Sequence, residues 1–196
     1  EKIKSPFKTY SKGEFLYVGT IEKRKGLHLL LESLNLLYKE RKDFKLNIVG
    51  RIADLEYYKF LLKQIEEFKL KNNVNFHGYV SADILKNFYS KAELFIFPSL
   101  LEGYGMVLME AMSFGLPVIA FNNSAIPLTV KHGYNGLLAE NKNPQQLYEL
   151  IKLASDNPDL RTKMSKGALQ TYENCRTKKD FENDVNLFIN ESLLKK

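Results

Sequence analysis

Cysteine and long apolar runs are nearly absent from this sequence, and each shortage excludes a class of protein. Cys175 is the only cysteine among the 196 residues, so the chain cannot form an internal disulfide. Its stability must come from a hydrophobic core, and a reducing cytoplasm is the compartment we predict. No apolar run approaches the roughly 20 residues that a membrane-spanning helix requires. We therefore expect a soluble, globular, cytoplasmic protein.

The sequence also lacks the motifs of metal sites and of dinucleotide-binding folds. No pair of cysteines or histidines has the spacing of metal ligands and no D-x-D motif is present, so we predict chemistry without a metal ion. A dehydrogenase would carry G-x-G-x-x-G after its first strand, whereas Gly19, Thr20 and Ile21 follow that strand here. These absences disfavour a dehydrogenase and predict a protein without a bound cofactor.

Positive charge exceeds negative charge but is not concentrated in one tract. The formal net charge of +6 favours anionic partners such as phosphates, nucleic acids or acidic lipid headgroups. Lysines are scattered along the whole chain, which fits solvated helix faces better than a nucleic-acid-binding stripe. We expect no nucleic-acid partner. Peripheral contact of the basic helices with the inner face of a membrane stays an open alternative.

Short apolar runs alternate with longer segments of helical period. The runs are bounded by Gly, Pro or Asn and cover residues 15–18, 46–49, 74–76, 94–97, 118–121 and 136–139. Amphipathic segments at 27–37, 58–68 and 84–89 separate the first four runs, and Ser81 has the character of a helix cap. This alternation predicts an α/β fold, a Rossmann-like, doubly wound, mainly parallel sheet of about six strands with helices on both faces.

After residue 140 the strand pattern ends and helical patterns take over. Asn143 with Pro144, and Asn157 with Pro158, each indicate a cap followed by proline in the first turn. A last amphipathic stripe runs over residues 181–193. These signals predict a helical C-terminal tail. Because no linker or internal repeat interrupts the pattern, we expect a single domain over residues 1–196.

Residues 97–115, F-P-S-L-L-E-G-Y-G-M-V-L-M-E-A-M-S-F-G, join a buried strand to a helix. In doubly wound sheets, ligands bind beyond the carboxyl ends of the strands, where Gly103 and Gly105 permit close approach of the backbone. The amides that open the following helix can hold phosphate. Glu102 and Glu110 would repel phosphate but can accept hydrogen bonds from a diol. A ligand with both phosphates and diols is a nucleotide sugar.

These residues resemble the retaining, two-domain glycosyltransferases of the GT-B fold, specifically glycosyltransferase family 4, the glycosyl transferases group 1. Glu102 and Glu110 have the family's spacing of seven intervening residues, within its P-S-x-x-E-G-[FY]-G string. The resemblance implies that Glu110 holds the ribose hydroxyls and that Glu102 is catalytic and holds the transferred sugar. It assigns the donor loop to Gly103, Tyr104 and Gly105, with the diphosphate at the amides of Gly105, Met106 and Val107.

A second match lies after the first strand, where residues 18–26 resemble the family's V-G-x-x-x-x-x-K-G. The resemblance makes Lys25 a catalytic residue that neutralises charge on the departing diphosphate. Gly19 and Thr20 would line the same loop. Many members have arginine where this chain has Thr20, and whether Arg24 replaces it stays open.

Two further matches are less informative. By resemblance, residues 74–80, V-N-F-H-G-Y-V, place Gly78 and Tyr79 beside the nucleobase, whereas we expect His77 to be structural. Contacts to the base there would be largely main-chain and say little about its identity. Separately, we expect a UDP- or GDP-linked donor rather than an ADP-linked one. In residues 115–136, Ser124, Ala125 and Leu128 depart from the family pattern. We therefore assign no contact to that last loop.

The resemblance implies the donor-binding, C-terminal half of an enzyme that transfers a hexose from a nucleoside-diphosphate sugar, in cell-surface polysaccharide synthesis. The acceptor and a catalytic histidine would belong to an N-terminal domain of the same polypeptide. Because the sequence starts at Glu1 without a secretory signal, we expect that domain to be missing and the isolated chain to be inactive. A non-catalytic nucleotide-sugar-binding module is the alternative.

Overall fold

The computed structural model describes residues 10–103 and 105–175. Six strands lie within one or two residues of the predicted runs: β1 (Glu14–Val18), β2 (Lys45–Val49), β3 (Val74–Gly78), β4 (Leu94–Phe97), β5 (Val118–Asn122) and β6 (Gly136–Glu140). The helices are α1 (Leu27–Glu40), α2 (Leu55–Glu67), α3 (Ala82–Lys91), α4 (Met106–Ser113), α5 (Ile126–Thr129), α6 (Pro144–Asp156) and α7 (Pro158–Glu173). A 3₁₀ turn, Lys23–Lys25, precedes α1. The short helix α5 was not predicted.

The strands form one sheet in the order β3-β2-β1-β4-β5-β6, and every neighbouring pair is parallel. The chain builds outward from β1 to β3, then returns to the other side of β1 and builds outward again. Right-handed crossovers place α1 and α2 of the first half on the face opposite α4 of the second half, whereas α6 returns to the face of α1. The order therefore reverses between β1 and β4, the position at which doubly wound sheets open a ligand crevice.

The core is apolar on both faces of the sheet, which explains why the central strands are continuous apolar runs. All four residues of β4 are buried, and α1 contributes five buried leucines at helical spacing, Leu27, Leu30, Leu31, Leu34 and Leu37. Helix α1 packs against α2 and α6, whereas α4 packs against α7. Helices thus cover the sheet from two sides and hold the ends of β1 and β4 rigid.

The helical tail begins as the sequence predicted. The Asn143 and Asn157 side chains accept hydrogen bonds from the amides of Gln146 and Leu160, and a proline follows each cap. The predicted stripe at 181–193 lies outside the described residues. None of the helices in residues 10–103 and 105–175 combines the length and apolarity needed to cross a membrane.

Replacing the Asn157 cap with alanine should lower the free energy of unfolding by about 1 kcal/mol, because the Leu160 amide loses its acceptor. Asn157→Ser keeps an acceptor at the same position and should retain most of that stability. Urea unfolding of both variants provides the measurement. Equal stability of Asn157→Ala and the unmodified chain would show that water replaces the cap without cost.

Candidate functional site

Two loops meet at the point where the strand order reverses. The loop after β1 contains Gly26, whose φ of 69° lies in the left-handed region. A Cβ atom there would lie 2.0 Å from the carbonyl oxygen of Pro98, in the loop after β4. The amide of Leu100 also donates a hydrogen bond to the carbonyl of Arg24 at 2.8 Å. A glycine is therefore required for the two loops to pack directly on each other.

This packing brings together the two residues predicted to be catalytic. The Nζ atom of Lys25 lies 2.7 Å from Oε2 of Glu102, and the two side chains are only 10% and 13% exposed. The ammonium group also lies 5.4 Å from the centroid of the Phe97 ring. Because little water screens this pair, its charges act strongly on any ligand that enters the crevice. The sequence predicted separate tasks for the two residues but not their contact.

Helix α4 starts beside this ion pair and presents unfilled amides. Gly105 is its N-cap, with a φ of 69°, and makes no side-chain cap hydrogen bond. Met106, in the first turn, is 69% exposed, so this terminus borders solvent. Free amides and the positive end of the helix dipole favour an anion here. Of the predicted diphosphate residues at this helix N-terminus, Met106 is exposed, Val107 is half-buried and Gly105 is buried, whereas Tyr104 lies outside the described residues.

Glu110 lies one turn after Met106 on the same exposed face of α4. Its Oε2 atom accepts a hydrogen bond from the buried Tyr89 hydroxyl at 3.1 Å. From the sequence, Tyr89 was predicted to lie on the apolar face of its helix, and no further role was assigned to it. Nothing in the local pattern could reveal the contact, because the two residues belong to different helices and are 21 positions apart.

The remaining residues of the loop after β1 form a small polar network. The Thr20 hydroxyl donates to Glu22 at 2.6 Å, and the Arg24 guanidinium lies 3.0 Å from the same carboxylate. The hydrogen bond from Thr20 lowers the pKa of Glu22, and the charges of Arg24 and Lys25 act in the same direction. Arg24 also donates to the Leu101 carbonyl at 3.2 Å. Arg24 therefore bridges the two loops, and its contact with a donor stays a prediction, as does that of Gly19.

The residues predicted to lie beside the nucleobase occupy the end of β3, two strands away from β1. Gly78 has a φ of 64° with open space around it, and Tyr79 is 88% exposed. His77 Nε2 pairs with Asn47 Oδ1 at 2.8 Å, and burial lowers the pKa of His77. These contacts agree with a structural His77. No described hydrogen bond joins Gly78 or Tyr79 to the Lys25–Glu102 pair, and their role at the base stays a prediction.

The N-terminus of α1, where dinucleotide-binding folds hold pyrophosphate, is already covered. The hydroxyl of the buried Tyr57 accepts a hydrogen bond from the His28 amide at 3.0 Å and lies 2.8 Å from the His28 ring. Burial raises the pKa of Tyr57 to about 12, so this hydroxyl stays protonated at neutral pH. An anion therefore finds free amides at α4 rather than at α1. The sequence predicted no role for Tyr57, which lies one residue before the predicted amphipathic segment 58–68.

The loop after β5, to which the sequence assigned no contact, supports the loop that carries Glu102. The Asn123 side-chain amide donates to the Ser99 carbonyl at 2.8 Å. The Ala125 amide donates to the Glu102 carbonyl at 3.3 Å. These bonds tie the backbone of the Glu102 loop to the loop after β5.

Among residues 10–103 and 105–175, no group of three or more His, Cys, Asp or Glu side chains is arranged to hold a metal ion. Metal independence stays a prediction.

Comparison with known proteins identifies relatives of this chain. The family model described as "Glycosyl transferases group 1" matches residues 1–171. An uncharacterized glycosyltransferase of Methanocaldococcus jannaschii is 32% identical over 177 residues, which cover 85% of this chain and 47% of that protein. The O-antigen chain mannosyltransferase B of Escherichia coli is 30% identical over 171 residues, covering 84% and 44% respectively. The chain thus spans about half the length of these relatives.

Solved structures share the fold. S. aureus TarM, as a mutant in complex with fondaparinux, alpha-GlcNAc-glycerol and UDP, matches with a TM-score of 0.83 and 25% identity, covering 96% of this chain and 38% of that one. Anabaena HepE in complex with UDP and glucose matches with a TM-score of 0.78 and 25% identity, covering 92% and 48%. These neighbours confirm the predicted Rossmann-like half of a GT-B fold.

Proposed function

Because the chain belongs to the glycosyl transferases group 1 family, we propose that it is the donor-binding half of a retaining glycosyltransferase of family 4. The donor would be a nucleoside-diphosphate hexose. The observation that carries this proposal is the Lys25–Glu102 ion pair, 2.7 Å long and largely shielded from water, beside the free N-terminus of α4. A cation and open amides suit a diphosphate, and the carboxylates suit the hydroxyls of a sugar.

The proposed division of labour follows from the chemistry of each group. The α4 amides and Lys25 bind the diphosphate, and Lys25 stabilises the charge that grows on it as the glycosidic bond breaks. Glu102 gives one oxygen to Lys25 and has acceptor capacity left for a hydroxyl of the transferred sugar. Glu110, on the next turn of α4, accepts hydrogen bonds from the ribose diol. None of these steps requires a metal ion.

The relatives support a nucleoside-diphosphate donor and a role in polysaccharide synthesis. TarM and HepE were crystallised with UDP, which agrees with a UDP-linked donor, and a GDP-linked donor is the alternative. Amylovoran and capsular polysaccharide biosynthesis glycosyltransferases are also similar to this chain. We infer a role in polysaccharide synthesis at the cytoplasmic face of a membrane.

The acceptor site is proposed to belong to a separate N-terminal domain, because the chain spans about half the length of its relatives. On its own the chain should bind the donor and transfer nothing, since orienting the acceptor supplies a large part of the rate. A non-catalytic module would bind the same donor. An enzyme and a non-catalytic module can be distinguished with a polypeptide that includes both halves. Only the enzyme releases nucleoside diphosphate when an acceptor is supplied.

Glu110→Ala should weaken binding of the preferred nucleoside diphosphate by about tenfold, because two hydrogen bonds from the ribose to a carboxylate are lost. Isothermal titration of the 196-residue chain with UDP, GDP and ADP would identify the base and measure the loss. Glu149→Ala removes a carboxylate from the distant helix α6 and serves as the matched control. Its affinity should stay within about twofold of the unmodified chain.

Two results would contradict the proposal. The first is a chain that circular dichroism shows to be folded and that binds none of the three nucleotides at millimolar concentration. The proposed donor site would then be wrong. Equal affinities of Glu110→Ala and Glu149→Ala would mean that the ribose lies elsewhere.

A further inference from the structure

Tyr89 is the buried residue of α3 and packs against aromatic rings of β4 and of the segment after α4. The side chain is only 2% exposed, and its ring stacks on Phe114, just after α4, with centroids 5.2 Å apart and planes 17° apart. The Phe95 ring of β4 lies on another side, with centroids 6.0 Å apart. Aromatic packing of this kind fixes the ring and therefore the direction of its hydroxyl. The stack itself needs only the ring, and phenylalanine would provide it.

The hydroxyl of this packed ring meets the exposed side chain of Glu110. Tyr89 donates a hydrogen bond to Glu110 Oε2 at 3.1 Å, from a buried position to a carboxylate at the surface. Burial raises the pKa of Tyr89 well above its usual range, and the charge of Glu110 acts in the same direction. The hydroxyl therefore stays a donor throughout the neutral pH range. The contact leaves Oε1 of Glu110 and part of the capacity of Oε2 for other donors.

We propose that Tyr89 is a positioning residue for donor binding, whose buried hydroxyl holds the Glu110 carboxylate in the orientation that accepts the ribose diol. This inference rests on the proposed function. An exposed glutamate without such a partner samples several rotamers and must be ordered when the nucleotide binds. Ordering one such side chain weakens binding by about threefold to tenfold. Tyr89 removes that penalty because the carboxylate is held before the ligand arrives.

The test is Tyr89→Phe in the 196-residue chain, which keeps the stacked ring and deletes the hydroxyl. Calorimetric titration would use the nucleoside diphosphate that the unmodified chain binds best, and its 2′,3′-dideoxy analogue. We expect affinity for the first ligand to fall by about threefold to tenfold, and affinity for the second to stay unchanged. Loss that depends on the ribose hydroxyls distinguishes positioning from a general structural role.

Tyr148→Phe is the matched control. Its hydroxyl also contacts a carboxylate, that of Glu40, but on the α1–α6 surface away from the site. This variant should bind both ligands like the unmodified chain. A second measurement combines Tyr89→Phe with Glu110→Ala. The effect of Tyr89→Phe on affinity should disappear in that background, because the carboxylate that it positions is gone.

The outcomes separate the inference from the function on which it rests. If the unmodified chain binds no nucleoside diphosphate, the proposed function fails and the inference fails with it. If the unmodified chain binds and Tyr89→Phe binds equally well, only the role of Tyr89 is overturned. An equal loss of affinity for the nucleotide and its dideoxy analogue would make Tyr89 a structural residue, as would a loss that persists in the Glu110→Ala background.

Discussion

Replacing Lys25 with methionine should weaken binding of the nucleoside diphosphate by about 100-fold, the largest loss of affinity expected from one side chain of the site. Methionine keeps much of the buried stem but removes the ammonium group that lies 2.7 Å from Glu102. The variant loses a charge-assisted contact with the diphosphate. It also leaves the 13% exposed Glu102 carboxylate without its counter-ion, so that carboxylate then repels the ligand.

The matched control is Lys23→Met. Lys23 is exposed in the same 3₁₀ turn and carries the same charge, so its loss changes the net charge equally without touching the pair. We expect its affinity to stay within about twofold of the unmodified chain. Adding Glu102→Gln to Lys25→Met should recover part of the lost affinity for the free nucleoside diphosphate, because the repulsion disappears. Calorimetric titration measures the affinity of Lys25→Met, of Lys23→Met and of the double variant. Equal affinities of the two lysine variants would show that the diphosphate does not reach Lys25.

Gly26→Ala should lower the free energy of unfolding by about 3 kcal/mol, whereas Gly78→Ala should lower it by only about 1 kcal/mol. The two glycines have nearly the same φ, 69° and 64°, so both substitutions carry the cost of a left-handed alanine. They differ in surroundings. A Cβ at Gly26 would lie 2.0 Å from the Pro98 carbonyl oxygen, whereas a Cβ at Gly78 would meet no atom within 4 Å.

Urea unfolding of the two variants separates backbone strain from the packing of the loops. The clash in Gly26→Ala must push the loop after β1 away from the loop after β4, and Lys25 is the residue directly before Gly26. That variant should therefore also lose affinity for the nucleoside diphosphate under conditions in which it is folded. If both variants lost the same stability, the close approach of the two loops would not contribute to the stability of the fold.

Local patterns in the sequence were enough to predict the strands, the longer helices and the loop that carries Glu102. The strands follow from short apolar runs bounded by Gly, Pro or Asn, and the helices from periods of three to four residues and from nearby caps. Asn143 and Asn157 thus mark the starts of α6 and α7 directly. The residues of the loop from Pro98 to Gly105 could be recognised for the same reason, because their meaning depends on a short, continuous string. Helix α5 was missed because four residues carry too little periodic signal.

The sequence by itself determined the alternation of strands and helices, the caps, and the residue types that suit a diphosphate and a diol. Only the tertiary structure decided which of them meet. Lys25 and Glu102 are 77 positions apart and form a pair because β1 and β4 are neighbours at the point where the strand order reverses. Tyr89 reaches Glu110, and Tyr57 covers the start of α1, by contacts between different helices. Hydrophobic periodicity is local and gives the buried face of each element, whereas such contacts depend on the order and spacing of whole elements in the folded chain.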